Sequence, residues 1–188
     1  MSAVHAIVDH LLAAPARLGG VRVLAIDGPS GAGKSTLAAA VNAVLRERGV
    51  AVALVSTDDF ATWDDPVAWW PRFAEGVLQP LACGGDGGFH PMDWSGPVPR
   101  LGELVRVPVP DVLLIEGVSA GRASFRRSLS HLCWVPGPPA PVRLDRAARR
   151  DGEAARPRLA QWQAFERGWF AVDRTERDAD SIGLDQLP

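Results

Sequence analysis

Tyrosine is missing from this 188-residue chain, and lysine occurs once, at position 34; the other nineteen basic residues are arginine. With no tyrosine, the aromatic surface rests on seven tryptophans and six phenylalanines. With one lysine, a guanine-reading NKxD element in addition to a lysine-bearing loop is excluded, which argues against a GTPase switch. Cys83 and Cys133 are the only cysteines. Two thiols without CxxC spacing make neither a metal site nor a disulfide framework, and they fit a reducing cytoplasm. Charge bias is also absent, with a formal net charge of −2, so nothing in the chain as a whole argues for a nucleic-acid or membrane partner. The N-terminal run MSAVHAIVDHLLAAPARLGG has no basic start, and Asp9 and two histidines interrupt its apolar stretch. It reads as a surface helix packed on the domain, not as a leader.

What is present begins with length and composition. The chain is about one domain long and 47% hydrophobic, enough for a sizeable core. Gly28 to Ser35 reads GPSGAGKS and fits GxxxxGK[ST], the loop that cradles phosphates with its backbone N–H groups. The apolar run VRVLAI precedes it and STLAAAVNAVLRERG follows, so strand, glycine loop and helix come in the required order. The lone lysine falls within this motif. An ammonium is a compact point charge that fits among crowded phosphate oxygens, and a planar guanidinium does not.

Further apolar runs at Val50–Ser56, Asp111–Gly117, His131–Val135 and, more weakly, Asp180–Leu184 predict parallel strands. Helices are expected over Arg122–Ser130, Pro141–Asp151 and Arg156–Val172. Ala61–Pro110, rich in Trp, Gly, Pro and Asp, reads as a helix followed by loops and a hairpin near Leu101–Val107. One domain spanning the whole chain is expected, with an insertion at about 61–110 and a lid at about 141–158.

In an open α/β sheet a ligand lies beyond the carboxyl ends of the strands. Asp58 and Asp59 follow the second strand, and Glu116 closes VLLIEG at a position suited to holding Mg²⁺ directly or through water. Pro141–Arg158 holds six arginines against three acids, with Arg143, Arg146 and Arg150 on one helical face. Such cations suit the charge of a transferred phosphoryl group.

In order and approximate spacing, IDGPSGAGKST, TDDF, LLIEG, RLDRAARRD and the Ala179–Asp180 pair resemble the uridine kinase branch of the P-loop kinases. The resemblance implies an α/β P-loop kinase fold with a five-stranded parallel sheet, a helical lid, ATP or GTP as donor, Mg²⁺, and transfer to a nucleoside 5′-hydroxyl. It implies nucleotide contacts from Gly28, Ser30, Gly31, Ala32, Gly33, Lys34, Ser35, Thr36 and Arg143. Lys34 would hold the β- and γ-phosphates, with Arg146 and Arg150 acting beside it. Ser35, Glu116 and Asp58 would serve the metal, and Asp58 would be the base, unless the register places Asp59 there.

The acceptor side departs from that family. Ala61 and Met92 stand where tyrosines are usual, and Trp70 where a ribose-binding aspartate is expected. Trp63, Trp69, Trp70, Phe89, His90 and Trp94 are candidates for an aromatic acceptor pocket, whereas Trp162, Phe165, Trp169 and Phe170 have the helical spacing of core residues. Thr57–Val98 carries Asp58, Asp59, Asp64, Asp65, Glu75, Asp86 and Asp93 against Arg72 alone. That balance predicts a neutral hydroxyl as acceptor, not the phosphate of a nucleoside monophosphate. A kinase for another hydroxylated small molecule, such as a sugar, a vitamin precursor or an antibiotic, and a regulatory ATPase without an acceptor are the alternatives.

Overall fold

The structure is a computed structural model that describes residues 2–64, 66–94 and 99–183. Asp65 and Leu184, named above, lie outside them.

Five strands form one parallel sheet: β1 (Arg22–Asp27), β2 (Val52–Ser56), β7 (Val112–Glu116), β8 (His131–Trp134) and β9 (Ser181–Ile182), in the order β2-β7-β1-β8-β9. β1 pairs on both sides, Ile26 opposite Glu116 and Asp27 opposite Trp134. The first glycine-rich turn therefore leaves the middle of the sheet. Side chains alternate between faces along each strand. Leu24, Ile26 and Leu114 pack under α1 (Ala3–Ala13) and α2 (Lys34–Glu47), while Val23, Ala25, Leu113 and Ile115 pack with Phe60, Phe73 and Leu81 on the other face. In α1, Val4, Ile7, Val8 and Leu11 recur at helical spacing and are all buried, the docked surface helix expected.

The insertion begins with a helical run over 70–82, made of α3 (Trp70–Phe73), a π segment (Ala74–Leu78) and α4 (Gln79–Ala82). Pro80 lacks an N–H and its ring would clash with the carbonyl four residues back, so the preceding turn widens instead of ending the helix. A hairpin follows and departs from the one expected within 101–107. Strand β3 (Gly87–Phe89) pairs antiparallel with β6 (Val105–Val107), and β4 (Met92–Asp93) pairs with β5 (Arg100–Leu101). One long hairpin thus starts well before Leu101.

The expected helix over Arg122–Ser130 shrinks to a 3₁₀ turn, Arg126–Ser128. Competing bonds hold the chain around this turn. The Arg126 guanidinium binds Gly121 O, the Asp173 carboxylate and Asp178, while Ala123 N donates to Asp173 Oδ1. The C-terminal helices are α5 (Ala140–Asp151) and α6 (Arg156–Asp173), joined through Gly152 at φ 95 and packed at Ala147, Ala148 and Leu159. Among the described residues no helix is long and apolar enough to cross a membrane.

Candidate active site

The loop between β1 and α2 owes its shape to glycine. Gly33 caps α2 with φ 102, and a Cβ there would meet nothing within 4 Å. The requirement is therefore conformational, since L side chains rarely adopt that φ. At Gly31 the requirement is also steric: φ is 75, and a Cβ would lie 2.5 Å from the carbonyl oxygen of Arg143. Lys34, on the first turn of α2, is 8% exposed and donates from Nζ to Pro29 O at 3.0 Å. Its ammonium therefore lies inside the loop, bonded to the loop's own backbone. With free N–H groups at the head of α2, the loop is a ready site for phosphate.

Asp27, the last residue of β1, braces the loop from behind. It is wholly buried and accepts from Gly28 N at 2.7 Å and Ser119 N at 3.0 Å through Oδ1, and from Gly121 N at 2.9 Å through Oδ2. Burial pushes its pKa up to about 7, with those bonds and Lys34 pulling the other way. The sequence reading gave this residue no role. The available signal was an acid ending an otherwise apolar strand.

Three hydroxyl and carboxylate groups meet beside the loop. Glu116, ending β7, accepts from Ser35 Oγ at 3.2 Å and Ser56 Oγ at 2.9 Å. Parallel register sets Ser56 opposite Glu116, so the second contact follows from strand pairing. Burial raises the Glu116 pKa, opposed by Lys34 and reinforced by Asp58. Among the described residues no group of three or more His, Cys, Asp or Glu side chains could hold an ion. A Ser35 hydroxyl and one carboxylate are nevertheless a donor set that suits Mg²⁺, which keeps several waters and takes its remaining oxygens from phosphate.

The two aspartates after β2 have different roles. Asp59 Oδ2 accepts from Ser56 N at 3.3 Å and closes a capping box on the 3₁₀ turn Thr57–Asp59. Asp58 is exposed and gives the cap only its backbone, its N–H donating to Ser56 Oγ at 3.3 Å, while Trp94 donates from Nε1 to Asp58 O at 3.3 Å. From the other side, α5 lies across the front of the loop. Arg143 donates from Nε to Ser30 O at 3.2 Å. Arg150 binds Asp151 through Nε at 2.6 Å and Nη2 at 2.8 Å, and its charge acts on both Asp58 and Glu116. Arg146 is exposed on the turn between them.

A cavity of about 450 Å³ opens between the insertion and α6, lined by Trp63, Asp64, Pro66, Pro99, Arg158, Gln161, Trp162 and Phe165. Trp63 stands edge-on to Trp94 at 5.4 Å and to Trp162 at 5.6 Å, and the Arg158 guanidinium lies 5.7 Å from the Trp63 ring centre. The aromatic expectation is corrected in both directions. Trp69 and Phe89 are core residues around Phe60, and Trp70 packs on Phe125 and under Arg122, so none of the three reaches the cavity. His90 belongs to the hairpin, its Nδ1 3.0 Å from Gly102 O. Phe165, expected in the core, is exposed and lines the cavity instead, while Trp162 packs against the core as expected and also lines the cavity. Arg158 and Gln161 were missed as cavity residues because they lie on α6, far along the chain from Trp63 and Asp64, and carry no local signal for the contact. Arg72, the one base of the acidic stretch, is a structural clamp: it donates to Phe60 O at 3.2 Å and His90 O at 3.0 Å.

No protein-family model and no curated protein matches the sequence. Solved structures do match the fold. A protein from Bacillus stearothermophilus named as a possible uridine kinase superposes with TM-score 0.72 at 19% identity, covering 96% of this chain and 97% of its own. One from Silicibacter sp. TM1040, named as a possible fructose transport system kinase, gives TM-score 0.69 at 19% identity over 98% of this chain and 100% of its own. D-glycerate 3-kinase from Cryptococcus neoformans gives TM-score 0.51 at 16% identity over 97% of this chain and 72% of its own. The five-stranded parallel sheet flanked by helices is therefore the P-loop kinase fold.

Proposed function

We propose that this chain, built on the P-loop kinase fold, is a small-molecule kinase that moves the γ-phosphoryl group of ATP or GTP to a neutral hydroxyl, with a nucleoside 5′-hydroxyl as the first acceptor to test. The observation that carries the reading is one cluster beyond the strand ends: Glu116 accepting from both Ser35 and Ser56, Lys34 in the loop nearby, and Arg150 acting on Glu116 and Asp58 from α5.

The roles follow from position. Lys34 and the loop N–H groups hold the donor phosphates, and Arg143, Arg146 and Arg150 gather on the charge that spreads over the transferred group. Ser35 and Glu116, with Asp58 nearby, would hold Mg²⁺, which would supply charge neutralisation for the donor phosphates. Asp58 takes the acceptor's proton as the acceptor oxygen bonds to phosphorus and the bond to the β-phosphate oxygen breaks. In the cavity, Trp63, Trp162 and Phe165 offer faces and edges to a flat or apolar body, and Asp64, Arg158 and Gln161 offer polar contacts at its rim.

A second reading keeps the machinery and changes the acceptor to another hydroxylated small molecule. Ala61 is buried, and Trp70 is built into packing away from the cavity. Two of the positions where a nucleoside contact was expected therefore do not reach the space an acceptor would occupy.

Nucleotide consumption across nucleosides, sugars, other alcohols and nucleoside monophosphates tests both readings. Turnover with a neutral alcohol and none with monophosphates is the expected result. Turnover of a monophosphate without its parent nucleoside would move the chain to the nucleotide kinases, and hydrolysis indifferent to every alcohol would make it a regulatory ATPase.

A further inference from the structure

Ser30, the third residue of the phosphate loop, is held by both lid helices. From α6, Glu166 accepts from Ser30 N at 2.9 Å and from Ser30 Oγ. From α5, Arg143 donates to Ser30 O, and its backbone carbonyl presses on Gly31 so closely that no Cβ fits between them. Glu166 is 1% exposed in the middle of its helix, with Lys34 and Arg143 as its cationic neighbours. Burying a carboxylate next to a loop that must receive phosphate is costly, both in desolvation and in repulsion of the ligand. A packing position alone would be better served by an apolar side chain.

We propose that Glu166 is a positioning residue for nucleotide binding: its carboxylate holds Ser30, and through it the following N–H groups, in the phosphate-accepting shape, and ties that shape to the seating of α6. Arg143 completes the clasp from α5, so that end of the helix stays on the loop. The inference rests on the reading of residues 28–35 as the nucleotide phosphate site.

The test needs no acceptor. ATP and ADP affinities are measured calorimetrically for the wild type, Glu166→Ala, Glu166→Gln, Ser30→Ala and the Glu166→Ala/Ser30→Ala double variant, together with hydrogen exchange over residues 29–35. Glu166→Ala is expected to weaken ATP binding by about tenfold or more, the scale of losing hydrogen bonds to a charged group, and to speed exchange in the unliganded loop. Glu166→Gln should stay within about threefold of wild type, because its amide oxygen still accepts from Ser30 N and its NH₂ can donate to Ser30 Oγ. Ser30→Ala should weaken binding less than Glu166→Ala, and the double variant no more than Glu166→Ala alone, as two ends of one contact behave.

Tighter ATP binding by both Glu166 variants would make the carboxylate a competitor of phosphate and overturn the proposal. Unchanged affinity in all variants, or equal losses for Gln and Ala, would overturn it too. A wild type that binds neither nucleotide sinks the phosphate-site reading itself. If Glu166→Ala does not fold, Ser30→Ala and Glu166→Gln decide: weaker binding by the first with near-normal binding by the second supports the clasp, and three equal affinities defeat it.

Discussion

At the scale of single residues, adjacency in sequence conceals opposite roles. Asp58 and Asp59 are chemically identical, and spacing alone left open which of them faces the acceptor. In the folded chain the Asp59 side chain closes the capping box with Ser56, whereas Asp58 is exposed and its carbonyl accepts from Trp94, which packs on the cavity residue Trp63. Asp58→Asn should therefore leave ATP affinity within a few-fold and lower the catalytic rate by about 10² or more, the worth of a positioned base. Asp59→Asn should chiefly cost stability, by about 1 kcal/mol at most, because asparagine also caps. Steady-state kinetics and urea unfolding of the two variants separate these effects, and a reversed order would make Asp59 the base. Lysine at 34 is the residue-scale feature most legible in sequence, since an arginine-rich chain keeps an ammonium only where size matters.

At the scale of elements, α5 carries the functional argument. Its arginines at 143, 146 and 150 were legible as one face by helical spacing alone. The structure gives that face two ends. Arg143 is fixed to the loop at Ser30 O, whereas Arg150 is paired with Asp151, 60% exposed, and directs its field at Asp58 and Glu116. An exposed pair of this kind contributes little to stability. Arg150→Ala should accordingly leave the melting temperature nearly unchanged and depress turnover more than ATP binding, because a closing lid acts on charge that develops during transfer. Equal losses in turnover and affinity would reduce Arg150 to a ground-state contact. The elements misread in sequence have two causes. The helix at 122–130 gives way to bonds with Asp173 and Asp178, some fifty residues away, and the hairpin's first strand contains Gly87 and Gly88, which carry little strand signal.

At the scale of the whole molecule, three carboxyl groups buried around the glycine-rich loop burden the folded protein. Asp27, Glu116 and Glu166 all have pKa values raised by burial. A raised carboxyl contributes stability that is fully present below its unfolded value and lost as pH rises through its folded value. For Asp27 that window runs from 3.8 to about 7, with a slope of at most about 1.4 kcal/mol per pH unit for one proton. His131, pulled down by burial, slopes the opposite way, its stability rising with pH up to the unfolded value of 6.5. The difference between wild type and Asp27→Asn isolates the aspartate. Asparagine turns a donor toward Gly121 N–H, so the variant should be less stable at pH 4, and the gap should narrow toward pH 8. Parallel stability curves in urea unfolding would show that Asp27 stays ionised throughout.

The sequence by itself determined the glycine-rich loop between strand and helix, the places of the core strands along the chain, the acid at the end of β7 and the arginine face of α5. Each is encoded within about twenty contiguous residues, where glycine geometry and side-chain periodicity act locally. Only the tertiary structure decided what lines the cavity, which tryptophans are core, and that Asp27 and Glu166 brace the loop. Those outcomes depend on contacts between Ser30 and a helix 136 residues away, between Asp27 and a turn beyond the third core strand, and between Trp63 and Trp162. Burial is a property of the assembled chain: a tryptophan or a carboxylate has the same local pattern whether the fold covers it or leaves it open to a ligand.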